Sequence, residues 1–122
     1  MNKLLDANAI LRYLLNDTED QATMVEKAIN EGAFTIGEVV AEVVYVLQGV
    51  YKLDRNSICK SLLVLFNEID ILDKPIVKEA LNEYAKSSLD YVDCLLFARA
   101  KILNESILSF DKKLNNTINK VK

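Results

Sequence analysis

The sequence predicts an α/β fold, a three-layer α/β/α sandwich around a short central parallel sheet. Short apolar runs typical of buried strands alternate along the chain with longer runs whose apolar residues have helical spacing. Strands that alternate with helices imply right-handed crossovers and a parallel sheet covered on both faces. With one Pro and three Gly there is little room for linkers, so we expect one domain over residues 1–122.

The composition narrows the class of protein. The chain is 51% hydrophobic and 27% charged, as expected of a globular protein. Its longest apolar runs, at 43–47 and 61–66, are far shorter than the roughly 20 residues that cross a bilayer, and no signal peptide is recognisable. We therefore expect no membrane segment and a cytoplasmic protein, in which Cys59 and Cys94 are reduced core thiols.

The chain contains no histidine, which excludes several chemistries at once. Ser-His and Cys-His nucleophilic sites, His-ligated zinc and histidine acid–base catalysis are all ruled out. Any catalysis must use carboxylates, hydroxyls, Lys, Arg or Tyr. The net charge is −3, yet residues 99–122 carry six Lys and Arg against two acids, so the chain is electrically polarised.

The elements follow from the apolar spacing and the turn residues. Predicted strands cover 4–5, 33–36, 69–72 and 106–110. Predicted helices, with their capping residues, cover 7–15, 18–31, 35–48, 54–67, 73–86 and 91–104. The valine-rich stretch at 39–46 has strand-forming residues, but its apolar positions recur with helical spacing, which favours a helix.

Four helix starts are predicted from capping residues. Thr18 and Thr35 each begin a capping-box pattern, with Gln or Glu three residues later. Asp54 is a preferred N-cap residue, and Asp73 precedes a proline in the first turn. These aspartates are therefore interpreted as structural.

Two other carboxylates each follow a predicted strand directly. Asp6 ends the first strand and Asp111 ends the last one. Ligands of parallel α/β sheets bind outside the carboxyl ends of the strands, so both acids are expected at one edge of the sheet. Asp6 is also placed to cap the following helix, and the sequence leaves both interpretations open.

Three further acids are candidates, each with a structural alternative. Asp90 and Asp93 lie at the start of a helix, where the helix dipole favours negative charge, and capping is the favoured role for Asp90. Glu42 lies near the border of the apolar face of its helix. A carboxylate there usually has a partner, although a solvated surface Glu is the simpler interpretation.

Four stretches together carry a resemblance to a known family. They are Leu-Asp-Ala-Asn at 5–8, Ala-Glu-Val-Val-Tyr-Val-Leu at 41–47, Leu-Asp-Tyr-Val-Asp-Cys-Leu-Leu at 89–96 and Leu-Ser-Phe-Asp at 108–111. In this order the chain resembles a PIN domain, and within that superfamily the VapC toxin ribonucleases of toxin–antitoxin pairs. The resemblance covers nearly the whole chain.

The resemblance implies an acidic pocket at the carboxyl edge of the sheet, a homodimer, a small antitoxin partner and cleavage of RNA that depends on Mg²⁺ or Mn²⁺. Clustered carboxylates are the hard oxygen ligands that Mg²⁺ prefers. Asp6 and Asp93 are the expected metal ligands. The catalytic acids implied are Asp6, Glu42, Asp93 and Asp111, with Asn8, Asp90 and Ser109 in support. From the polarised charge we expect contacts to RNA phosphates from Arg99, Lys101, Lys112 and Lys113.

Other classes remain possible on the same pattern. A receiver-like phosphoacceptor domain would need an acidic pair after the first strand, where only Asp6 stands. A haloacid-dehalogenase-like phosphatase would need Asp-x-Asp, but Asn8 occupies the second position. A non-catalytic PIN-like module that binds RNA or protein is the third alternative, because fold does not determine function.

Overall fold

The computed structural model describes residues 2–121, which are mostly helical with one small parallel sheet. The helices are α1 Ala7–Leu15, α2 Glu19–Asn30, α3 Gly37–Gly49, α4 Arg55–Leu65, α5 Lys74–Lys86, α6 Tyr91–Leu103 and α7 Lys112–Asn119. The strands are β1 Phe34–Thr35 and β2 Asp70–Ile71. The first six helices and both strands agree with the sequence prediction to within a few residues.

The sheet is parallel and is extended by the N-terminal segment. Phe34 pairs with Asp70 and Thr35 with Ile71. On the other side of β1, Leu4 forms an isolated parallel bridge with Phe34, and the amide of Leu5 donates to the Phe34 carbonyl over 2.8 Å. The α/β class is therefore confirmed, while the three-layer sandwich and the single-domain organisation stay predictions.

One contiguous apolar core joins the helices to this sheet. Its fully buried side chains come from nearly every element, including Ile10, Val43, Leu62, Leu81 and Leu114. Cys59 and Cys94 are buried free thiols within it. No helix among residues 2–121 has the length and apolar character needed to span a membrane.

The predicted caps are only partly formed. Asp54 caps α4, accepting from the Ser57 amide over 2.7 Å. Asp73 has a left-handed backbone, with φ of 59°, and its side chain makes no capping hydrogen bond. The capping boxes predicted at Thr18 and Thr35 are wrong: Thr18 makes no side-chain cap, and the buried Thr35 hydroxyl donates to the Leu5 carbonyl over 3.0 Å instead.

The strand predicted over residues 106–110 is not formed. Exposure does alternate along this stretch, and Leu108 and Phe110 are 90% and 94% exposed, but no strand pairs with it among the described residues. Asp111 therefore does not end a strand. It is the N-cap of α7, a helix that the sequence analysis left unassigned and that buries Leu114 and Ile118.

Candidate active site

The start of α6 presents two of the predicted acids. Asp90 occupies the N-cap position with an extended backbone, and Asp93 lies in the first turn of the helix. The Asp90 side chain makes no capping hydrogen bond, so the structural role favoured for it from the sequence is not observed. Its carboxylate is exposed and remains available to the site.

Asp111 approaches from the start of α7, where local hydrogen bonds fix its backbone and side chain. Its Oδ1 accepts from the Leu114 amide over 2.9 Å, which is a capping bond. The Asp111 amide donates to the Ser109 hydroxyl over 3.0 Å, and the Asn115 side-chain amide donates to the Ser109 carbonyl over 2.9 Å. These hydrogen bonds tie Ser109 to the start of α7, while its supporting role in a catalytic site stays a prediction.

The three aspartates line one small cavity. It has a volume of about 100 Å³ and is lined by Ser88, Leu89, Asp90, Asp93, Asp111 and Lys113. The pKa of Asp93 is raised by partial burial first, and then by the negative charges of Asp111 and Asp90. The charges of the three carboxylates therefore act on one another across the cavity. We call the cavity lined by these six residues the acidic cavity.

Arg55, at the start of α4, holds the loop that enters the acidic cavity. Its Nη1 donates to the Leu89 carbonyl over 2.8 Å and to the Tyr84 carbonyl over 3.1 Å, and its guanidinium lies 4.2 Å from the centre of the Tyr84 ring. Arg55 is not recognisable as a supporting residue from the sequence, because nothing near it along the chain indicates a contact with a loop more than thirty residues away.

Asp6 and Asn8 lie at a different cavity. Asp6 caps α1, with Oδ1 accepting from the Ala9 amide over 2.8 Å. Together with Arg12 and residues of α2, Asp6 and Asn8 line a cavity of about 200 Å³ that includes none of the three clustered aspartates. The structure therefore shows the capping role of Asp6 and does not bring Asp6 into the acidic cavity.

Glu42 is exposed on α3. This helix does reach the start of α6, because Tyr45 and Gln48 share a cavity of about 330 Å³ with Asp90 and Asp93. Glu42 does not line that cavity. Within residues 2–121, no group of three or more acidic, Cys or His side chains is arranged closely enough to hold a metal ion together.

The four basic side chains predicted to contact RNA phosphates differ in whether their charges are already paired with an acid. Arg99 forms a two-point ion pair with Glu105, with contacts of 2.5 and 2.8 Å, and Lys101 pairs with Glu79. Lys112 and Lys113 are exposed in the first turn of α7, and Lys113 lines the acidic cavity.

The parallel pairing, the helical cover and the acids at the starts of α6 and α7 define an α/β domain with an acidic surface site. The profile of the family described as "PIN domain" matches residues 3–119, and the chain belongs to this family. The resemblance inferred from the motifs is thereby confirmed.

A curated relative supports the same grouping. The chain is similar to a VapC ribonuclease of Aquifex aeolicus (strain VF5), with 29% identity over 119 residues, which covers 91% of this chain and 88% of the relative. No significant match was found among solved structures.

Proposed function

We propose that this protein is an endoribonuclease of the VapC type, the toxin of a toxin–antitoxin pair. The observation that carries the proposal is the meeting of Asp90, Asp93 and Asp111 at one small cavity of a PIN domain. The similarity to a VapC ribonuclease over nearly the whole chain supports RNA as the substrate. The family match favours this function over the receiver-like and phosphatase-like alternatives.

The residues of the acidic cavity fit Mg²⁺ or Mn²⁺ in their chemistry. Mg²⁺ is typically held by one or two carboxylates while it keeps several waters, and Asp93 and Asp111 offer two carboxylates. Burial first, and then the negative charges of Asp111 and Asp90, raise the pKa of Asp93, and a cation in the cavity would offset those charges. We propose Asp93 and Asp111 as the holding residues, with Asp90 in support.

A divalent ion bound there supplies Lewis acidity toward the phosphodiester and lowers the pKa of water. The chain's own residues position the reactants. The Asp111 cap uses Oδ1, so that Oδ2 of the same fixed carboxylate is left to accept a proton or a hydrogen bond from water. Lys113 at the rim is placed to contact a phosphate oxygen.

Asp6 and Glu42 remain proposed members of the catalytic group, on the family resemblance. Asp6 stands at the end of the segment paired with β1, and its capping bond likewise uses only Oδ1. We further propose a homodimer, a cytoplasmic location and a small antitoxin partner whose cationic side chain would neutralise the acids. Coexpression with the product of a neighbouring small gene, followed by co-purification and a growth assay, tests the antitoxin.

The nuclease proposal is tested with purified protein, Mn²⁺ and labelled structured RNA. The wild type should cleave the RNA and Asp93→Asn should lose at least a hundredfold in rate, because that substitution keeps the shape of the side chain and removes its charge. Asp54→Asn is the matched control, since Asp54 caps α4 and Asn is an equally good cap. A wild type without activity, or an Asp93→Asn variant as active as the control, would instead indicate a non-catalytic PIN module.

A further inference from the structure

A basic cavity lies beside the end of α5 and along α6 and α7. It has a volume of about 590 Å³, within the range of roughly 300–1,000 Å³ typical of ligand sites. Its lining includes four lysines and one glutamate, which are Lys86, Lys101, Lys113, Lys120 and Glu83. We call it the basic cavity, and the proposed function so far assigns it no role.

The basic cavity adjoins the acidic cavity. Ser88, Leu89 and Lys113 line both of them. An extended ligand that lies across the three aspartates can therefore continue to the lysines along the surface of the protein. This continuity makes the two cavities parts of one path for an extended ligand.

The charges of the basic cavity are only partly neutralised. Lys101 pairs with Glu79, and Lys86 lies 3.8 Å from the buried carboxylate of Glu83. Lys113 and Lys120 enter none of the ion pairs found among residues 2–121. Lys113, in the first turn of α7, and Lys120, the C-cap of that helix, are thus the two lysines of the basic cavity whose charges are not taken up by an ion pair within the described residues.

Interaction with the helix dipole accounts for the positions of three of these lysines but not for the position of Lys113. Lys86, Lys101 and Lys120 lie at the carboxyl ends of their helices, where a positive charge complements the helix dipole. Lys113 lies in the first turn of α7, where the dipole disfavours a cation. Lys113 lines the acidic cavity with three aspartates and the basic cavity with three other lysines, so it stands at the junction of the two.

We propose that the basic cavity binds the phosphodiester backbone of single-stranded RNA next to the cleavage site, with Lys113 and Lys120 contacting successive phosphates. This inference rests on the proposed ribonuclease function. The acidic cavity then receives the phosphate that is cut, and the basic cavity holds the neighbouring nucleotides. Arg99 and Lys101, whose charges are taken up by glutamates, contribute little to this contact.

The test measures how salt weakens RNA binding. Fluorescein-labelled decauridylate is titrated with protein in chelator by fluorescence anisotropy, between 50 and 200 mM KCl. Each phosphate neutralised on a single strand contributes about 0.7 to the slope of log affinity against log salt, so Lys113→Gln plus Lys120→Gln should lower the slope by about 1.4. Over this range the wild type should therefore lose about sevenfold more affinity than the double variant.

The matched control is Lys27→Gln plus Lys60→Gln, which removes the same charge from two exposed lysines outside the basic cavity. It should keep the wild-type slope. Lys113→Arg plus Lys120→Arg should keep it too, and if the Gln double variant does not fold, Lys120→Gln alone should lower the slope by about 0.7. An equal slope for the wild type and the Gln variant, or an equal loss in the control, would overturn the inference.

Cleavage of the same RNA in Mn²⁺ separates this inference from the proposed function. Lys120→Gln alone should raise KM severalfold while kcat changes little, because Lys120 lines the basic cavity and not the acidic cavity. Cleavage that depends on Asp93, together with an unchanged slope in the Gln variant, would overturn the RNA path alone. A reduced slope in the Gln variant, together with a wild type that cleaves neither this RNA nor the structured RNA, would support the path and reject the nuclease.

Discussion

The side chains of Asp6 and Asp111 each cap a helix through one carboxylate oxygen. From the sequence, capping and a role in a binding site were alternatives for Asp6. A carboxylate has two oxygens and about four lone-pair positions, so a capping bond to one oxygen leaves the other able to bind water or a cation. Capping therefore fixes the orientation of the side chain and does not exclude a catalytic role.

Asp6 allows the two roles to be separated by substitution. Asn is as good an N-cap as Asp, whereas Ala costs about 1 kcal/mol of stability at such a position. We expect Asp6→Asn to retain the free energy of unfolding and lose RNA cleavage, and Asp6→Ala to lose both. Urea unfolding and the RNA cleavage assay measure the two effects. Full activity in Asp6→Asn would show that Asp6 is a cap and nothing more.

Glu42 shows how far apolar spacing predicts a site residue. The helix is predicted correctly, and a helical wheel drawn from the sequence centres its apolar face on Val39, Val43 and Leu47. In the structure Val40 and Val44 are fully buried while Val39 is only partly so, which turns the buried face away from Glu42. Burial of a helix depends on which neighbours pack against it, and a single sequence does not contain that information.

Among the elements, the segment that leads to Asp111 was the least predictable. Its alternating apolar residues match the period of a strand, and the structure does show alternating exposure, but a strand also needs a partner. Helix α7 was missed because Asn115, Asn116 and Asn119 are poor helix formers. Its formation depends on the Asp111 cap and on burial of Leu114 and Ile118, which are one helical turn apart.

Side-chain contacts between elements, such as those of Arg55, hold in place the loop that lines the acidic cavity. Arg55→Lys keeps a positive charge but loses the planar group that bonds two carbonyls and stacks on Tyr84. Hydrogen bonds from a charged group contribute about 1.5–3 kcal/mol, and we expect a loss of that order in the free energy of unfolding. Urea unfolding measures it, with Lys60→Ala on the same helix as the control.

We also expect Arg55→Lys to affect catalysis. Because Arg55 bonds the Leu89 carbonyl, next to Asp90, Arg55→Lys should lower kcat for RNA cleavage at a temperature where the variant is fully folded. Its stability loss alone would leave kcat unchanged at that temperature. A variant as stable and as active as the Lys60→Ala control would mean that Arg55 does not position the loop.

On the scale of the whole molecule, the parallel topology was predictable and the relative positions of distant acids were not. The spacing of apolar residues gave the strands around Leu4, Phe34 and Ile71, and their parallel pairing followed from the intervening helices. The prediction that Asp6 and Asp111 share a sheet edge assumed that each follows a strand. Asp111 instead reaches Asp93 through the packing of α7 on α6, a contact that no local pattern specifies.

Bringing these acids together in one molecule has an energetic cost. The pKa of Asp93 is raised in the folded state, so its charge opposes folding at neutral pH, and this cost disappears as the pH falls through that pKa. In chelator at pH 7, Asp93→Asn should therefore melt at the same temperature as the wild type or higher, with the difference vanishing in acid.

Saturating Mn²⁺, at a hundred times its dissociation constant, should stabilise the wild type by about 2.7 kcal/mol, on the order of 10 °C in Tm. Asp93→Asn should show a much smaller increase, and Asp54→Asn the full increase. If Asp93→Asn loses stability in chelator and keeps the full response to Mn²⁺, Asp93 is a structural residue and the ion binds elsewhere.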